Sequence, residues 1–330
     1  MLDVRRLRLL CDLARLGTIA AVAAAHNFTA SAVSQQLNAL EREAGVRLLA
    51  RTGRSVTLTA AGRVLVRHGA AVLAELERAT AALAAVTGGL SGPLRIGAYP
   101  TAVRALLPAT LVELGRSHPG LELMVTELDP ADVATALRNR RIDVGLLNDY
   151  DLVPVRPDPG LDDVALLDEP VYLATPEPGN RRPPAPGSSN EGAQSPGGSD
   201  VRSPDEPMPD VAATLGGLRE FPWILATSGT LCHTVTVRLC RSAGFSPRAR
   251  HHADDFTTVL SLVAAGQGAS IVPAMAVAGA LPAGVHLQAL PTRRRTRIAY
   301  RRGAAGHPAV AEFVAAIRQS SRSVTSLHRP

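Results

Sequence analysis

The first 59 residues carry three short helical patterns followed by two short β-type runs, and this order constrains the fold more than any other feature of the chain. Apolar residues recur at helical spacing over 7–16 and stop at Gly17, a residue type that commonly ends helices. Thr18 and Thr29 are suitable N-caps for a second helix and for a third that runs to about Glu43. The two β-type runs are 46–49 and 55–58, joined by Arg-Thr-Gly-Arg. Three helices and a hairpin predict a winged helix-turn-helix domain over 1–59.

A single long helix is predicted next, over 60–88. Its apolar residues recur at the a and d positions of a heptad repeat, the pattern of a seam between two helices. The seam residues are Leu65, Val72, Leu76, Ala79, Leu83 and Val86, with Gly69 among them. A helix packed only against its own domain is the alternative, but no nearby segment offers an apolar surface to cover the seam. We therefore expect a linker and dimerisation helix.

The remainder of the chain, 92–320, alternates strand and helix patterns in the order typical of parallel α/β sheets. Gly and Pro residues at 88–93 separate it from the long helix. We predict two α/β subdomains, one formed by 92–163 together with about 274–320, the other by 164–273. Within the second, residues 176–210 contain nine Pro, five Gly and five Ser, so this segment is predicted to be a disordered insertion.

Positive charge is concentrated towards the N-terminus. The net charge is +6, every basic side chain of the Lys and Arg class is arginine, and residues 1–87 hold eleven Arg against six acidic residues. This excess favours nucleic acid as a partner over a merely soluble surface. Three cysteines make no disulfide framework, no apolar run approaches the roughly 18 residues of a membrane helix, and the N-terminus is amphipathic rather than a signal peptide. We expect a cytoplasmic protein without membrane contact.

The segment from Thr18 to Val66 is similar to the DNA-binding domain of the LysR-type transcriptional regulators. The shared features are an Ala-rich second helix, Ser-Ala-Val-Ser-Gln-Gln-Leu in the third, Gly-Val-Arg-Leu-Leu before the hairpin, and Leu-Thr-x-x-Gly at the entry of the long helix. The later half resembles the effector domain of that family more loosely, most clearly at Gly-Gln-Gly over 266–268. Ala30 departs from the usual Gln or Pro, which removes one base contact, and Leu49 replaces an aromatic residue.

The resemblance implies a bacterial regulator, and arginine-only usage is typical of a GC-rich genome such as that of an actinobacterium. It implies an N-terminal all-α winged helix-turn-helix with a long linker helix, and a C-terminal α/β effector domain of the periplasmic-binding-protein-like type. It also implies double-stranded promoter DNA, a small-molecule effector and RNA polymerase as partners, and a homodimer that pairs into a tetramer. No cofactor and no enzyme activity are expected.

The third helix has a polar face suited to the major groove of DNA. Its apolar stripe leaves these side chains pointing outward: Ser31, Ser34, Gln35, Asn38 and Arg42. Amides pair bidentately with adenine and hydroxyls reach bases or phosphates, so Ser34 and Gln35 are the expected base contacts. Thr29 is expected to cap the helix and contact a phosphate, while Arg51 and Arg54 of the hairpin contact the DNA backbone or the minor groove. An ordinary solvated face is the alternative.

Two strand ends offer hydroxyls and free backbone N–H groups at helix N-termini, an arrangement suited to binding a carboxylate. They are Tyr99-Pro100-Thr101 and Thr227-Ser228-Gly229-Thr230. The resemblance makes these residues effector contacts, and simple helix capping is the alternative for each. We expect a small-molecule effector with a carboxylate, bound between the two subdomains.

Cysteine and histidine residues near the second turn support an alternative, a metal- or redox-responsive regulator that uses Cys232, His233 and Cys240. Their spacing fits no standard zinc pattern, and the two cysteines lie two helical turns apart, so no metal site is assigned. A solute-binding protein would explain only the later half of the chain. Among enzyme motifs, Thr-Ser-Gly-Thr is no nucleophile elbow and Gly-Gln-Gly lacks the rest of a dinucleotide fingerprint.

Overall fold

The structure is a computed structural model, and it describes residues 1–52, 55–88, 90–154, 157–177, 211–279 and 281–326. The predicted insertion over 176–210 therefore lies, from residue 178 onward, outside the described residues. The same holds for Arg54 in the hairpin. No helix within the described ranges is long and apolar enough to cross a membrane.

Three helices form the N-terminal domain: α1 (Val4–Leu16), α2 (Ile19–His26) and α3 (Ala30–Ala44). Each begins at a capping side chain, because Asp3, Thr18 and Thr29 each accept a hydrogen bond from a backbone N–H of the following turn. Gly17 ends α1 in the left-handed conformation. Their apolar faces meet in one core, whose most deeply buried side chains are Leu10, Val22, Val33, Leu37 and Leu40.

The hairpin that follows begins later than predicted. Strand β1 spans Leu49–Thr52 and pairs antiparallel with β2, Ser55–Leu58. The prediction of a first strand over 46–49 was wrong, because the backbone N–H groups of Leu48 and Leu49 donate to the Glu41 carboxylate at 2.7 and 2.9 Å. This contact holds the strand entry against α3, so strand pairing begins only at Leu49.

Helix α4 (Ala60–Val86) connects the two halves of the protein and is capped by the hydroxyl of Thr59. Its first half packs closely against α1, since a Cβ at Gly69 would lie 2.8 Å from Cδ1 of Leu7. A residue with a side chain at position 69 would therefore push the two helices apart.

The N-terminal half also directly contacts the C-terminal α/β domain, which the resemblance predicts to be an effector domain and which carries that label below. A Cβ at Gly303 would lie 2.3 Å from the carbonyl oxygen of Ala74, so a loop of the effector domain touches the backbone of α4. The side-chain amide of Asn139 donates to the carbonyl oxygen of Ala25 on α2. Helix α4 is thus packed on one side by α1 and on another by the effector domain.

The effector domain contains a six-stranded sheet in the order β4-β3-β5-β10-β6-β9. Strand β3 runs parallel to β4 and β5, while β10 runs antiparallel to β5 and β6. The strands are β3 (Gly92–Ala98), β4 (Leu121–Glu127), β5 (Val144–Tyr150), β6 (Leu161–Pro176), β9 (Ser270–Pro273) and β10 (Val285–Arg301). The helices on this part of the sheet are α5 (Pro100–Ala105), α6 (Leu107–Ser117), α7 (Pro130–Arg138) and α11 (Pro308–Ser326).

The second α/β unit lies between β6 and β10 in sequence. Its parallel strands are β7 (Pro222–Leu225) and β8 (Arg248–His252), and its helices are α8 (Val211–Gly216), α9 (Leu231–Ser242) and α10 (Phe256–Ala264). Trp223 is fully buried at its centre. The backbone N–H of Ile224 donates to the carbonyl of Ala269, just ahead of β9, which ties this unit to the large sheet.

Strands β6 and β10 cross between the two units. They pair along almost their entire lengths, from Leu161 opposite Arg301 to Pro176 opposite Val285. The sequence pattern predicts a strand only near 297–300, the last part of β10. The reason is that β10 buries polar residues at alternate positions, Thr292, Arg294 and Thr296, so apolar periodicity does not reveal the strand.

Candidate DNA-binding surface and effector cleft

Helix α3 separates apolar from polar side chains. Val33, Leu37 and Leu40 are buried in the N-terminal core, and Ser34 is half-buried. The other residues predicted to contact DNA from this helix and its cap are exposed: Thr29, Ser31, Gln35, Asn38 and Arg42. Within the described part of the chain, the side chains of Gln35, Asn38 and Arg42 make no hydrogen bond.

Other polar side chains of α3 are already bonded within the chain. Oγ1 of Thr29 accepts a hydrogen bond from the Ala32 N–H at 3.1 Å and lies 3.0 Å from the hydroxyl of Ser31. The amide oxygen of Gln36 accepts from Nε of Arg6 on α1 at 2.9 Å. Gln36 is therefore held by another helix, whereas its neighbour Gln35 makes no hydrogen bond with the described residues.

The hairpin residues are only partly described. The backbone of Arg51 lies in β1, but its side chain and the whole of Arg54 lie outside what the structure describes. Their contacts with DNA stay predictions.

The predicted dimerisation residues fall into two groups. Leu65 is half-buried against the N-terminal core. The others are exposed in the single chain: Val72, Leu76, Ala79, Leu83 and Val86. The exposed fraction reaches 69% for Leu83 and 86% for Val86. An apolar stripe therefore runs along α4 on a face that neither α1 nor the described part of the effector domain covers.

The first predicted effector turn lies in a buried polar cluster. Tyr99 and Thr101 are both buried. The guanidinium carbon of Arg294 lies 5.0 Å from the centre of the Tyr99 ring, and its Nη2 donates to Oγ1 of Thr101 at 3.1 Å. The Tyr99 hydroxyl lies 2.5 Å from Oγ1 of Thr296. Burial raises the pKa of Tyr99 to about 12, so its hydroxyl stays protonated. Pro100, which starts α5, is half-buried.

A buried ion pair lies beside this turn. Arg294 is 1% exposed, and its Nε donates to Oε1 of Glu169 at 2.7 Å. The second carboxylate oxygen of Glu169 accepts from the backbone N–H of Met275 at 2.5 Å. Burial acts against the charge on Arg294, but the adjacent Glu169 carboxylate outweighs it and raises the pKa of the guanidinium. The pair joins β10 to β6 at the centre of the effector domain.

The second predicted turn is more exposed and is bonded within the chain. The N–H and the hydroxyl of Thr227 donate to the two carboxylate oxygens of Asp254, at 2.8 and 2.6 Å. Thr230 caps α9 by accepting from the His233 N–H at 3.3 Å. Ser228 and Gly229 are exposed. Asp254 therefore already occupies donors that the sequence assigned to an effector carboxylate.

Contacts between the two units lie close in sequence to both turns. The Tyr150 hydroxyl lies 3.7 Å from Sγ of Cys232, which follows the second turn by two residues. At the rim, Arg104 of α5 donates to Thr257 and lies 3.5 Å from the carboxylate of Asp255 at the start of α10. The two predicted turns thus belong to different units, and contacts between those units lie near each turn.

Sequence reasoning missed Arg294 and Glu169. Three consecutive arginines, 293–295, could have indicated a buried cation. In a strand, successive side chains point to opposite faces, so the middle arginine faces the other way from its two neighbours. Recognising it required knowing that this segment is a strand.

The three cysteines are free. Burial raises the pKa of Cys11 to about 11 and that of Cys240 to about 12, and burial also raises the pKa of Cys232. Among the described residues there is no group of three or more His, Cys, Asp or Glu side chains that could hold a metal ion. The metal-responsive alternative therefore gains no support from the geometry.

The N-terminal domain and the effector domain each match a family model. Residues 4–63 match the family described as "Bacterial regulatory helix-turn-helix protein, lysR family", and residues 87–185 and 202–322 match "LysR substrate binding domain". A "Probable hydrogen peroxide-inducible genes activator" of Streptomyces viridosporus is 31% identical over 97% of this chain and 98% of that protein. An uncharacterised HTH-type transcriptional regulator of Bacillus subtilis, YcgK, is 27% identical over 88% of this chain and 87% of that protein.

Solved structures agree in fold. A mutant form of OxyR from Corynebacterium glutamicum superposes with a TM-score of 0.56 at 24% identity, covering 99% of this chain and 95% of that one. A full-length mutant form of OxyR from Pseudomonas aeruginosa gives a TM-score of 0.54 at 21% identity, covering 96% and 95%.

Fold, domain order and family matches define a DNA-binding transcriptional regulator with an effector-binding domain. The chain belongs to the LysR family of bacterial regulators. The expectation from its N-terminal motifs is confirmed, and actinobacterial proteins are among its relatives.

Proposed function

We propose that two copies of this regulator bind double-stranded promoter DNA, with α3 of each copy in a major groove. The observation that carries this proposal is the exposed and unbonded set of polar side chains on α3, Gln35, Asn38 and Arg42. Gln35 and the half-buried Ser34 read base edges, Asn38 lies further along the same groove, and Arg42 contacts a backbone phosphate. Thr29 and Ser31 contact phosphates, together with Arg51 and Arg54 of the hairpin.

Dimerisation through α4 is the second element of the proposal. The exposed stripe from Val72 to Val86 has the heptad spacing of a two-helix seam. Two dimers pair into a tetramer, as the family resemblance implies, and the assembly acts in the cytoplasm, where promoter DNA and RNA polymerase are its partners. Regulation proceeds by binding alone, without a catalytic step.

The effector is a small molecule with a carboxylate, bound in the cleft between the two units. Arg294 supports this assignment, because it is a buried cation that contacts both Tyr99 and Thr101 of the predicted turn. Its present anion is Glu169, so an effector carboxylate shares or replaces that contact. Entry of the ligand changes the angle between the units and, through α4, the spacing of the two DNA-reading helices.

A calorimetric titration of the full chain with small carboxylates, and with the matching amides and amines, tests the effector assignment. Carboxylates should bind, and Thr101→Val should weaken them about tenfold by removing a hydroxyl bonded to Arg294, equivalent to about 1.4 kcal/mol. Thr126→Val, on the exposed edge strand β4, is the matched control and should bind as the unaltered chain does. Binding by neutral or cationic compounds alone would contradict the assignment.

A thiol-based redox function is the second candidate. Similar proteins carry the name hydrogen peroxide-inducible genes activator, and Cys232 lies in the cleft beside Tyr150. The thiolate is the reactive form of cysteine, however, and burial raises the pKa of Cys232 and Cys240. These protonated thiols support the small-molecule effector as the first candidate.

A further inference from the structure

A cavity of about 190 Å³ lies where α4 meets the effector domain. Its walls come from α4, β3, the loop after α7, the end of β10 and the start of α11. The charged and titratable residues that line it are Glu77, Arg95, Arg140, Asp143, Arg301 and His307. None of them belongs to the DNA-binding face or to the effector cleft, so the cavity is a separate feature of the molecule.

One anion already lies in this region, the carboxylate of Glu77. It is 7% exposed, and it is bound by Arg140 and by Nε of Arg301, the latter at 3.1 Å. Arg301 is also fixed by the carbonyl oxygens of Leu137 and Ile142, at 3.2 and 2.9 Å. The guanidinium of Arg301 is therefore held in place before any ligand arrives.

Positive charge exceeds negative charge around the cavity. Arg95 is exposed, and its guanidinium makes no ion pair with any described residue. Three arginines, Arg95, Arg140 and Arg301, therefore line the cavity with two carboxylates, those of Glu77 and Asp143.

Two further features mark the site. Nδ1 of His307 is buried and has no hydrogen-bond partner in the described structure, although its residue lines the cavity immediately before α11. Arg140 has a φ of 57°, in the left-handed region that residues with large side chains rarely adopt. A polar atom without a partner and a cation on a strained backbone are features often found at binding sites.

We propose that this cavity is a second ligand site, which binds a small doubly charged oxyanion of the phosphate type. Its volume lies well below the roughly 300 Å³ of pockets that hold drug-sized ligands, so the occupant is a free phosphate or a small phosphate-bearing metabolite. The oxyanion binds Arg95, Arg140 and His307 and competes with Glu77 for Arg140. Since Glu77 belongs to α4, this competition loosens the linker helix from the effector domain and transmits the signal to the DNA-binding domain.

Calorimetric titration of the full chain with inorganic phosphate, against chloride at matched ionic strength, tests the proposal. Saturable binding of one phosphate per chain is expected. Arg95→Ala should weaken it at least fivefold, because this arginine has no other ion-pair partner among the described residues. Arg116→Ala, an equal loss of charge on the exposed face of α6, is the control and should change the affinity less than twofold. Glu77→Gln should strengthen phosphate binding at least fivefold, because it removes the competing carboxylate.

Three results would overturn the second site. They are the absence of saturable binding, equal effects of Arg95→Ala and Arg116→Ala, and a folded Glu77→Gln chain whose affinity is unchanged or reduced. The comparison of Arg95→Ala with Arg116→Ala tests the second site even if Glu77→Gln does not fold. Neither arginine forms an ion pair in the described chain, so neither substitution breaks one. Phosphate binding lost in Thr101→Val but kept in Arg95→Ala would place the anion in the effector cleft, which would reject the second site and leave the proposed function standing.

Discussion

On α3, the side chains of Gln35 and Arg42 are exposed and make no hydrogen bond with the described residues, whereas in the cleft Arg294 and Glu169 are buried and bonded to each other. A surface that binds DNA gains by keeping its polar groups free, because the partner supplies the missing bonds. A closed cleft must satisfy its polar groups internally, since an unpaired buried charge is costly. The proposed DNA-binding surface is therefore ready to bind, while an effector at the proposed site has to replace contacts that already exist.

The largest effect is expected from breaking the buried pair of the cleft. Arg294→Met leaves the Glu169 carboxylate buried without its cation and should lower the free energy of unfolding by about 3–5 kcal/mol. Arg293→Met, one residue earlier, breaks an ion pair whose side chains are about half exposed and should cost less than about 1 kcal/mol. Urea unfolding of both variants measures the difference. Equal losses would mean that the cleft is not held together by its own polar contacts.

The exposed stripe of α4 provides the next test, since it resembles the α3 surface in having no partner among the described residues. Leu83→Glu places a charge on the seam and should weaken dimerisation at least tenfold, about 1.4 kcal/mol. Ala85→Glu adds the same charge at an exposed position off the seam and serves as the control. Analytical ultracentrifugation over a concentration series separates the two. A dimer that tolerates Leu83→Glu would assign dimerisation to another surface.

The sequence alone predicted the helices of the N-terminal domain well, because the sequence signals for helix caps and helix faces are local. Thr18 and Thr29 each cap the helix that follows. The helical spacing of Val33, Leu37 and Leu40 places the polar face of α3 outward. Such features depend on residues within one or two turns of each other.

The cleft could not be predicted to the same extent, because its contacts join distant segments. Arg294 and Glu169 are 125 residues apart, and Thr101 is 193 residues from Arg294. The two predicted turns lie in different units, and the contacts around them depend on the register of β6 against β10. Even in the N-terminal domain, the first wing strand was misplaced where Glu41 makes a contact seven residues away with Leu48.

A smaller effect is expected from an exposed arginine of α3. Arg42→Ala should weaken binding to all DNA sequences by a few-fold and reduce the slope of log affinity against log salt by about 0.9, the contribution of one phosphate contact. Fluorescence anisotropy at several salt concentrations measures both quantities, with Arg116→Ala as the distant control. A change in sequence preference without a change in slope would assign Arg42 to base contact instead.

The smallest effect is expected at the cysteines. Their raised pKa values, about 11 for Cys11 and about 12 for Cys240, keep these thiols protonated at neutral pH, and reactivity should appear only as the pH rises towards those values. Alkylation of the native chain by iodoacetamide near neutral pH should be at least tenfold slower than that of free cysteine, whose pKa is about 8.5, and hydrogen peroxide should leave DNA affinity unchanged. Rapid labelling of Cys232 together with peroxide-dependent DNA binding would favour the redox alternative.

The most direct test of the central claim, that α3 reads DNA sequence through side chains left free in the folded chain, compares Gln35→Ala with Gln36→Ala. The operator is first selected from random DNA by the unaltered protein. Gln35→Ala should reduce the preference for operator over random DNA by about 1–3 kcal/mol while leaving random binding intact. Gln36→Ala removes an amide held by Arg6 and should leave that preference unchanged. Equal loss of affinity for operator and random DNA in Gln35→Ala would contradict the claim.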